Sequence, residues 1–203
     1  MFLQQRKGPT DAYGLVVFDF DETLAATDVG IFHLDDVTDR VFGGIDRKLE
    51  IESMLHNLQL KGFATAIVSY NQSSTIISAL EHLKHHFFEV LGWDDLTADS
   101  SVDSSKSTWI RRLMGACNID ESAPICFVDD NKYNIQDVKK HLPDCHTIYI
   151  EGGNGMREEH FQEVLTFASV QIELAKLDVE DGKYADAKKF FEVDANKEGQ
   201  KYQ

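Results

Sequence analysis

The chain has 203 residues, with 35 acidic side chains against 20 basic ones and a net charge of −15. A field of that sign repels nucleic acid phosphates, so DNA or RNA is excluded as the expected partner. The length suits one domain with a sizeable core, and 42% hydrophobic residues are enough to fill it.

No window approaches the ~20 apolar residues of a spanning helix, and the first residues, Met1-Phe2-Leu3-Gln4-Gln5-Arg6-Lys7, lack the apolar stretch of a signal peptide. A membrane is therefore not an expected partner, and a cytoplasmic location is expected. Cys117, Cys126 and Cys145 form no Cys-x-x-Cys pair or other zinc spacing, and reduced structural thiols are the simplest reading.

The first apolar run, residues 15–20, reads as a buried strand and ends in acids at Asp19 and Asp21, with Thr23 beyond them. Side chains at i and i+2 of a strand share a face, so the two carboxylates would point the same way. They repel unless a cation or a shared proton holds them. Residues 25–45 suit a short turn and hairpin flap. A helix over 46–58 and a strand over 64–68 follow, the strand ending on Ser69-Tyr70-Asn71.

A helix is expected over 72–83, a strand over 87–91 and a polar loop over 97–105. Lys106 then opens a helix over 106–114, and the strand 125–128 ends on Asp129-Asp130. After a helix over 135–141 and a strand over 147–150, Gly152-Gly153-Asn154-Gly155 reads as a flexible loop. It is not a P-loop, because the Lys-Ser/Thr and helix that should follow are missing.

Phe161, Val164, Leu165, Ala168, Ile172 and Ala175, with Leu174 beside them, recur at helical spacing and predict an amphipathic helix packed on something. Beyond it the chain turns polar, with a short helix expected over 184–193 and disorder from 196. Residues 1–155 are read as the main domain and 156–203 as a helical extension packing on it.

Strands alternating with helices predict an α/β fold: a parallel central sheet with helices on both faces. Asp19, Ser69 and Asp129 all fall just after strands, and in an open parallel sheet those ends gather on one edge, where ligands bind.

The run Asp19-Phe20-Asp21-Glu22-Thr23, followed in order by Ser69, Lys106 and Asp129-Asp130, resembles the four motifs of the haloacid dehalogenase-like (HAD) superfamily. Lys106 is the only lysine between Lys84 and Lys132, which fixes its assignment. The likeness covers roughly residues 15–150 and is greatest to the capless magnesium-dependent phosphatase branch. It implies a three-layer Rossmann-like fold, and the stretches between motifs are too short for a large cap domain.

The resemblance also implies roles. Asp19 would be the nucleophile that accepts the phosphoryl group, and Asp21 the acid and then the base. Ser69 and Lys106 would bind phosphate oxygens, with Thr23, Tyr70 and Asn71 as further substrate-binding residues. Mg2+ would be held by Asp19, the Asp21 carbonyl and one of the Asp129-Asp130 pair, Asp130 directly and Asp129 as its orienter, with Asn131 and Asn134 near metal waters.

Each feature has a plainer reading. An acid pair after a strand is often a turn and helix cap, and Lys106 alone would be a solvated helix-end lysine. His82, His85 and His86 have no nearby acid or cysteine to complete a metal set. Phe87, Phe88 and Trp93 are expected in the core or at a strand end, and Trp109 could shape the substrate mouth.

The expected function is a magnesium-dependent phosphomonoesterase acting through an aspartyl phosphate on a small phosphorylated molecule, a phosphoprotein or another bulky substrate. The alternatives are a small-metabolite phosphatase or phosphomutase, and a non-catalytic binding protein on the same scaffold that recruits a protein partner through the C-terminal helix. A receiver-type signalling module is disfavoured, since its lysine should follow the acids rather than precede them.

Overall fold

The computed structural model describes residues 12–30, 37–98, 100–120 and 122–180. In chain order these form β1 (Gly14–Phe18), a single wide turn Phe20–Leu24, α1 (Val37–Arg40), α2 (Ile45–Leu60), β2 (Phe63–Val68) and α3 (Ser73–Leu80). There follow β3 (Glu89–Leu91), α4 (Trp93–Leu96), α5 (Lys106–Ala116), β4 (Ile125–Asp129), α6 (Lys132–His141), β5 (His146–Tyr149) and α7 (Glu158–Glu180).

The five strands form one sheet in the order β3-β2-β1-β4-β5, every pairing parallel. The chain lays β1, β2 and β3 outward in one direction, then crosses back past β1 to lay β4 and β5 in the other. The order therefore reverses between β1 and β4, and a crevice opens there at the carboxyl ends of the strands.

Alternation along the strands feeds two apolar layers. Val16 and Phe18 of β1 pack with Ile51 and Leu55 of α2, Ile76 of α3, and Phe161 and Val164 of α7. Leu15 and Val17 pack on the opposite face with Ile110 and Leu113 of α5, and Ile135 and Val138 of α6. All five residues of β1 are buried, as a central parallel strand requires. Helices thus cover both faces, and the architecture is the three-layer α/β arrangement expected.

Several local expectations change. β1 stops at Phe18 rather than running to residue 20, because the backbone leaves the sheet at Asp19. Phe20 is still fully buried, so the apolar run continues past the end of the strand. Among the described residues of the stretch 25–45, expected to hold a hairpin flap, there is one turn of helix, α1, and no strand, and residues 31–36 lie outside the described residues. No cap domain stands between the motifs among the described residues.

Of the two places expected for it, core or strand end, Trp93 takes the strand end: it follows β3 at the start of α4, half-exposed, its ring meeting Tyr70 edge to face at 5.9 Å. Trp109, expected at a substrate mouth, is buried in the α5 layer. His85 bonds the Thr65 hydroxyl at 2.8 Å and meets Phe87 edge to face.

α7 packs on α2 and β5 and buries Phe161, Val164 and Ala168 in the same core as β1. Leu174 is turned outward, with Val170 and Leu177. The expected helix over 184–193 and the tail from 196 lie outside the described residues. No helix among the described residues is long and apolar enough to cross a membrane.

Candidate active site

The site is built where β1 and β4 end side by side. Asp19 follows β1; its backbone N–H donates to the Val128 carbonyl at 2.8 Å, so the neighbouring strand sets its position. Phe20–Leu24 then turns tightly, with Glu22 at φ +52, a left-handed conformation uncommon outside glycine. Asp21 lies in this turn, not in a strand, so its relation to Asp19 comes from the turn and not from pleat alternation.

Lys106 opens α5 and is 1% exposed. Its ammonium donates to Asp19 Oδ1 at 2.5 Å and to the Val68 carbonyl, and stands 3.4 Å from Asp129 Oδ2. Burial alone would push that ammonium toward neutrality, but Asp19 and Asp129 outweigh it and hold its pKa above the usual lysine value. The Tyr70 ring lies against it, 4.9 Å from Nζ to the ring centre.

Asp129, the last residue of β4, has no exposed surface. It accepts from Asn131 N–H at 2.7 Å and from Asn134 Nδ2 at 3.2 and 3.0 Å, one bond to each oxygen. Burial, despite Lys106, holds its carboxyl above the ordinary range. Asp130 is pushed up to about 6 by burial and then by the charge of Asp19.

Carboxylate oxygens of Asp19, Asp129 and Asp130 lie within 4.8 Å of one another. Three carboxylates less the Lys106 ammonium leave two negative charges, which one divalent ion neutralises. The donors are all oxygen, which suits a hard cation such as Mg2+. The raised pKa values of Asp129 and Asp130 come first from burial and then from the charge of Asp19, and both favour protons where no cation neutralises the acids.

No family model and no curated protein matches the chain. Solved structures do. They include the HAD domain of the effector protein Lem4 from Legionella pneumophila, at 14% identity over 80% of this chain and 99% of that one, TM-score 0.53. The N-terminal part of protein BF1531 from Bacteroides fragilis, which contains a phosphatase domain and was crystallised with Mg, gives 18% identity and TM-score 0.52. That match spans 80% of this chain but only 41% of the Bacteroides chain. An uncharacterized protein from Corynebacterium glutamicum matches at 16% identity over 78% of this chain and 96% of its own, TM-score 0.50.

This chain has the HAD fold.

Within that fold, the residues singled out from the sequence converge, though not all in the manner expected. Asp21 Oδ1 accepts from Val29 N–H at 2.7 Å and from Asn71 Nδ2 at 3.0 Å. Burial raises its carboxyl to about 6 against those two bonds. Both bonds fall on Oδ1, so Oδ2 is the oxygen left to carry a proton. Ser69 follows β2, 1% exposed, its Oγ accepting from Asn71 N–H at 3.2 Å.

Thr23 and Asn71, expected as substrate contacts, bond residues of the chain itself. Thr23 has no exposed surface; its hydroxyl accepts from Asp130 N–H at 3.0 Å and faces Asp130 Oδ1 at 3.3 Å. Asn71 spends its amide on Asp21 and the Val29 carbonyl, and its oxygen on Gln72 N–H. Asn134, expected near metal waters, orients Asp129, while Asn131 caps α6 by accepting from Tyr133 N–H at 2.9 Å.

Val29, which restrains Asp21 through a backbone N–H, and Arg47, which ties Thr23 down, belong to no sequence motif. A backbone donor carries no residue signature, and a basic residue early in a helix reads as a solvated one.

Proposed function

We propose that this protein is a magnesium-dependent phosphomonoesterase working through an aspartyl phosphate on Asp19. The observation that carries the reading is the buried Lys106 ammonium, 2.5 Å from Asp19 and 3.4 Å from Asp129, with Asp130 completing the acid trio at the reversal point of the sheet.

Asp19, Asp129 and Asp130 are the side chains that would hold Mg2+, and the ion would supply charge neutralisation for an approaching phosphate monoester. Asp19 attacks phosphorus with the oxygen that Lys106 does not occupy, and the bond to the leaving oxygen breaks. Asp21 gives that oxygen its proton. With a pKa of about 6, about a tenth of Asp21 is protonated at pH 7, against about a thousandth at the ordinary value. Burial therefore raises the supply of acid about a hundredfold.

Asp21, now ionised, takes a proton from water as the water oxygen attacks phosphorus, the bond to Asp19 breaks and inorganic phosphate leaves. The Ser69 hydroxyl and Lys106 are the donors in reach of phosphate oxygens.

The absence of a cap domain among the described residues leaves the crevice open, which supports bulky substrates, phosphoproteins included, alongside small phosphorylated molecules. The half-exposed rings of Tyr70 and Trp93 stand on this side of the sheet. The three buried free thiols support a reducing compartment such as the cytosol.

The test is hydrolysis of p-nitrophenyl phosphate by the wild type and by Asp19→Asn, each with magnesium and with excess EDTA. Turnover is expected from the wild type with magnesium alone, falling about a thousandfold or more in the variant. Undiminished turnover by Asp19→Asn overturns the covalent route. Absence of turnover across a panel of phosphopeptides and phosphorylated metabolites favours a binding protein on a phosphatase scaffold.

A further inference from the structure

Arg47 stands half-buried in the first turn of α2, and its hydrogen bonds go to carbonyl oxygens and not to a carboxylate. Nε donates to Met156 O at 2.9 Å, Nη1 to Phe42 O at 3.1 Å and Nη2 to Thr23 O at 3.1 Å. These three carbonyls belong to three separate segments: the loop between β5 and α7, the residues after α1, and the turn after β1. A guanidinium fork can join three such acceptors at once, whereas a lysine ammonium on its flexible stem cannot hold the same planar spread.

Space for the fork is provided by Gly155. A Cβ at that position would fall 2.3 Å from Arg47 Nη2, 2.5 Å from Ala25 O and 3.0 Å from Thr23 O, and its φ of +72 disfavours any side chain. Thr23 is the hub. Its carbonyl accepts from Arg47 and, at 2.8 Å, from Met156 N–H, while its hydroxyl engages both the N–H and the carboxylate of Asp130.

We infer that Arg47, seated against Gly155, is a positioning residue of the metal site: by fixing Thr23 it sets the orientation in which Asp130 meets the cation. The inference rests on the reading of Asp19, Asp129 and Asp130 as a magnesium site. Arg47 touches neither phosphate nor metal in this scheme. Its effect passes through one threonine, and therefore appears in cation affinity before it appears in the chemistry of Asp19 or Asp21.

The experiment is a titration of the full chain with Mn2+, followed by the electron paramagnetic resonance of the free ion, which needs no turnover. Arg47→Lys and Gly155→Ala should each raise the Mn2+ dissociation constant about tenfold or more, the loss typical when a ligand's supporting partner is removed. Thr23→Val should weaken binding similarly, and Arg47→Lys added to Thr23→Val should weaken it little further, because both act through one link.

Melting curves in EDTA establish that each variant is folded; if Arg47→Lys does not fold, Gly155→Ala and its combination with Thr23→Val carry the same comparison. An unchanged dissociation constant in a folded variant overturns the inference, as does a full tenfold loss on top of Thr23→Val. Failure of the wild type itself to bind Mn2+ removes the metal reading and this inference with it. Wild-type binding with an unaffected Arg47→Lys removes only the inference.

Discussion

Lys106 and Asp129 face each other at 3.4 Å with neither side chain exposed, and the same ammonium also bonds Asp19 at 2.5 Å. One cation thus serves two carboxylates that no other lysine or arginine reaches at salt-bridge distance among the described residues.

Removing that cation should be costly. Lys106→Met leaves two buried acids without their ammonium, and breaking such a group by deleting one partner typically costs about 3 kcal/mol or more. Denaturant unfolding in EDTA should show a loss of that order. Magnesium should restore part of it, so the rise in melting temperature on adding magnesium should be larger for Lys106→Met than for the wild type. An equal or smaller rise would contradict a shared site for the lysine and the metal.

The acids also set a pH dependence whose sign is fixed. Burial holds Asp21 and Asp130 at about 6, above the ordinary 3.8. A carboxyl raised in the folded state favours folding when protonated, so the contribution is complete below pH 3.8 and is lost as pH rises through 6. In EDTA, Asp130→Asn should therefore gain on the wild type between pH 4 and 7. A gain of about 2–4 °C in melting temperature corresponds to about 1 kcal/mol in a domain of this size, after allowing for screening of a half-exposed carboxyl. Magnesium should stabilise the wild type more at pH 7.5 than at pH 5, where Asp129 and Asp130 hold more protons. A difference between variant and wild type that is flat from pH 4 to 7 would show that Asp130 titrates normally.

The three cysteines should be inert in the folded protein. All are buried and free; burial pushes Cys117 and Cys145 up to about 12 and Cys126 well above its ordinary value, so little thiolate forms at pH 8. Ellman's reagent should titrate none of them natively and all three in denaturant. Fast release from one thiol in the native state would identify a reactive cysteine where none is expected.

The layers and the strand order of the motifs were legible because they depend on which residues are apolar. Runs such as residues 64–68 and 125–128 can be buried on both faces only as central strands, and the acids closing them must then sit on one edge. The end of β1 was not legible, since Phe20 is as buried as Phe18 although it lies in a turn. Thr23 illustrates a further limit: a hydroxyl four residues after Asp19 reads as a substrate contact, and only the fold reveals its bond with Asp130. Arg47 left no trace for a similar reason, because its acceptors are backbone carbonyls, which every residue has.

The bonds that assemble the crevice span long stretches of chain: Asp19 meets Lys106 across 87 positions, and Thr23 meets Asp130 across 107. A ribosome adding about 5–20 residues per second makes Asp19 first and the residues that complete its cluster several seconds later. A nascent or prematurely terminated chain lacking β4 holds the first aspartate yet has no acid pair to complete the cluster. The order of synthesis thus leaves the acid cluster incomplete until nearly the whole sheet has closed.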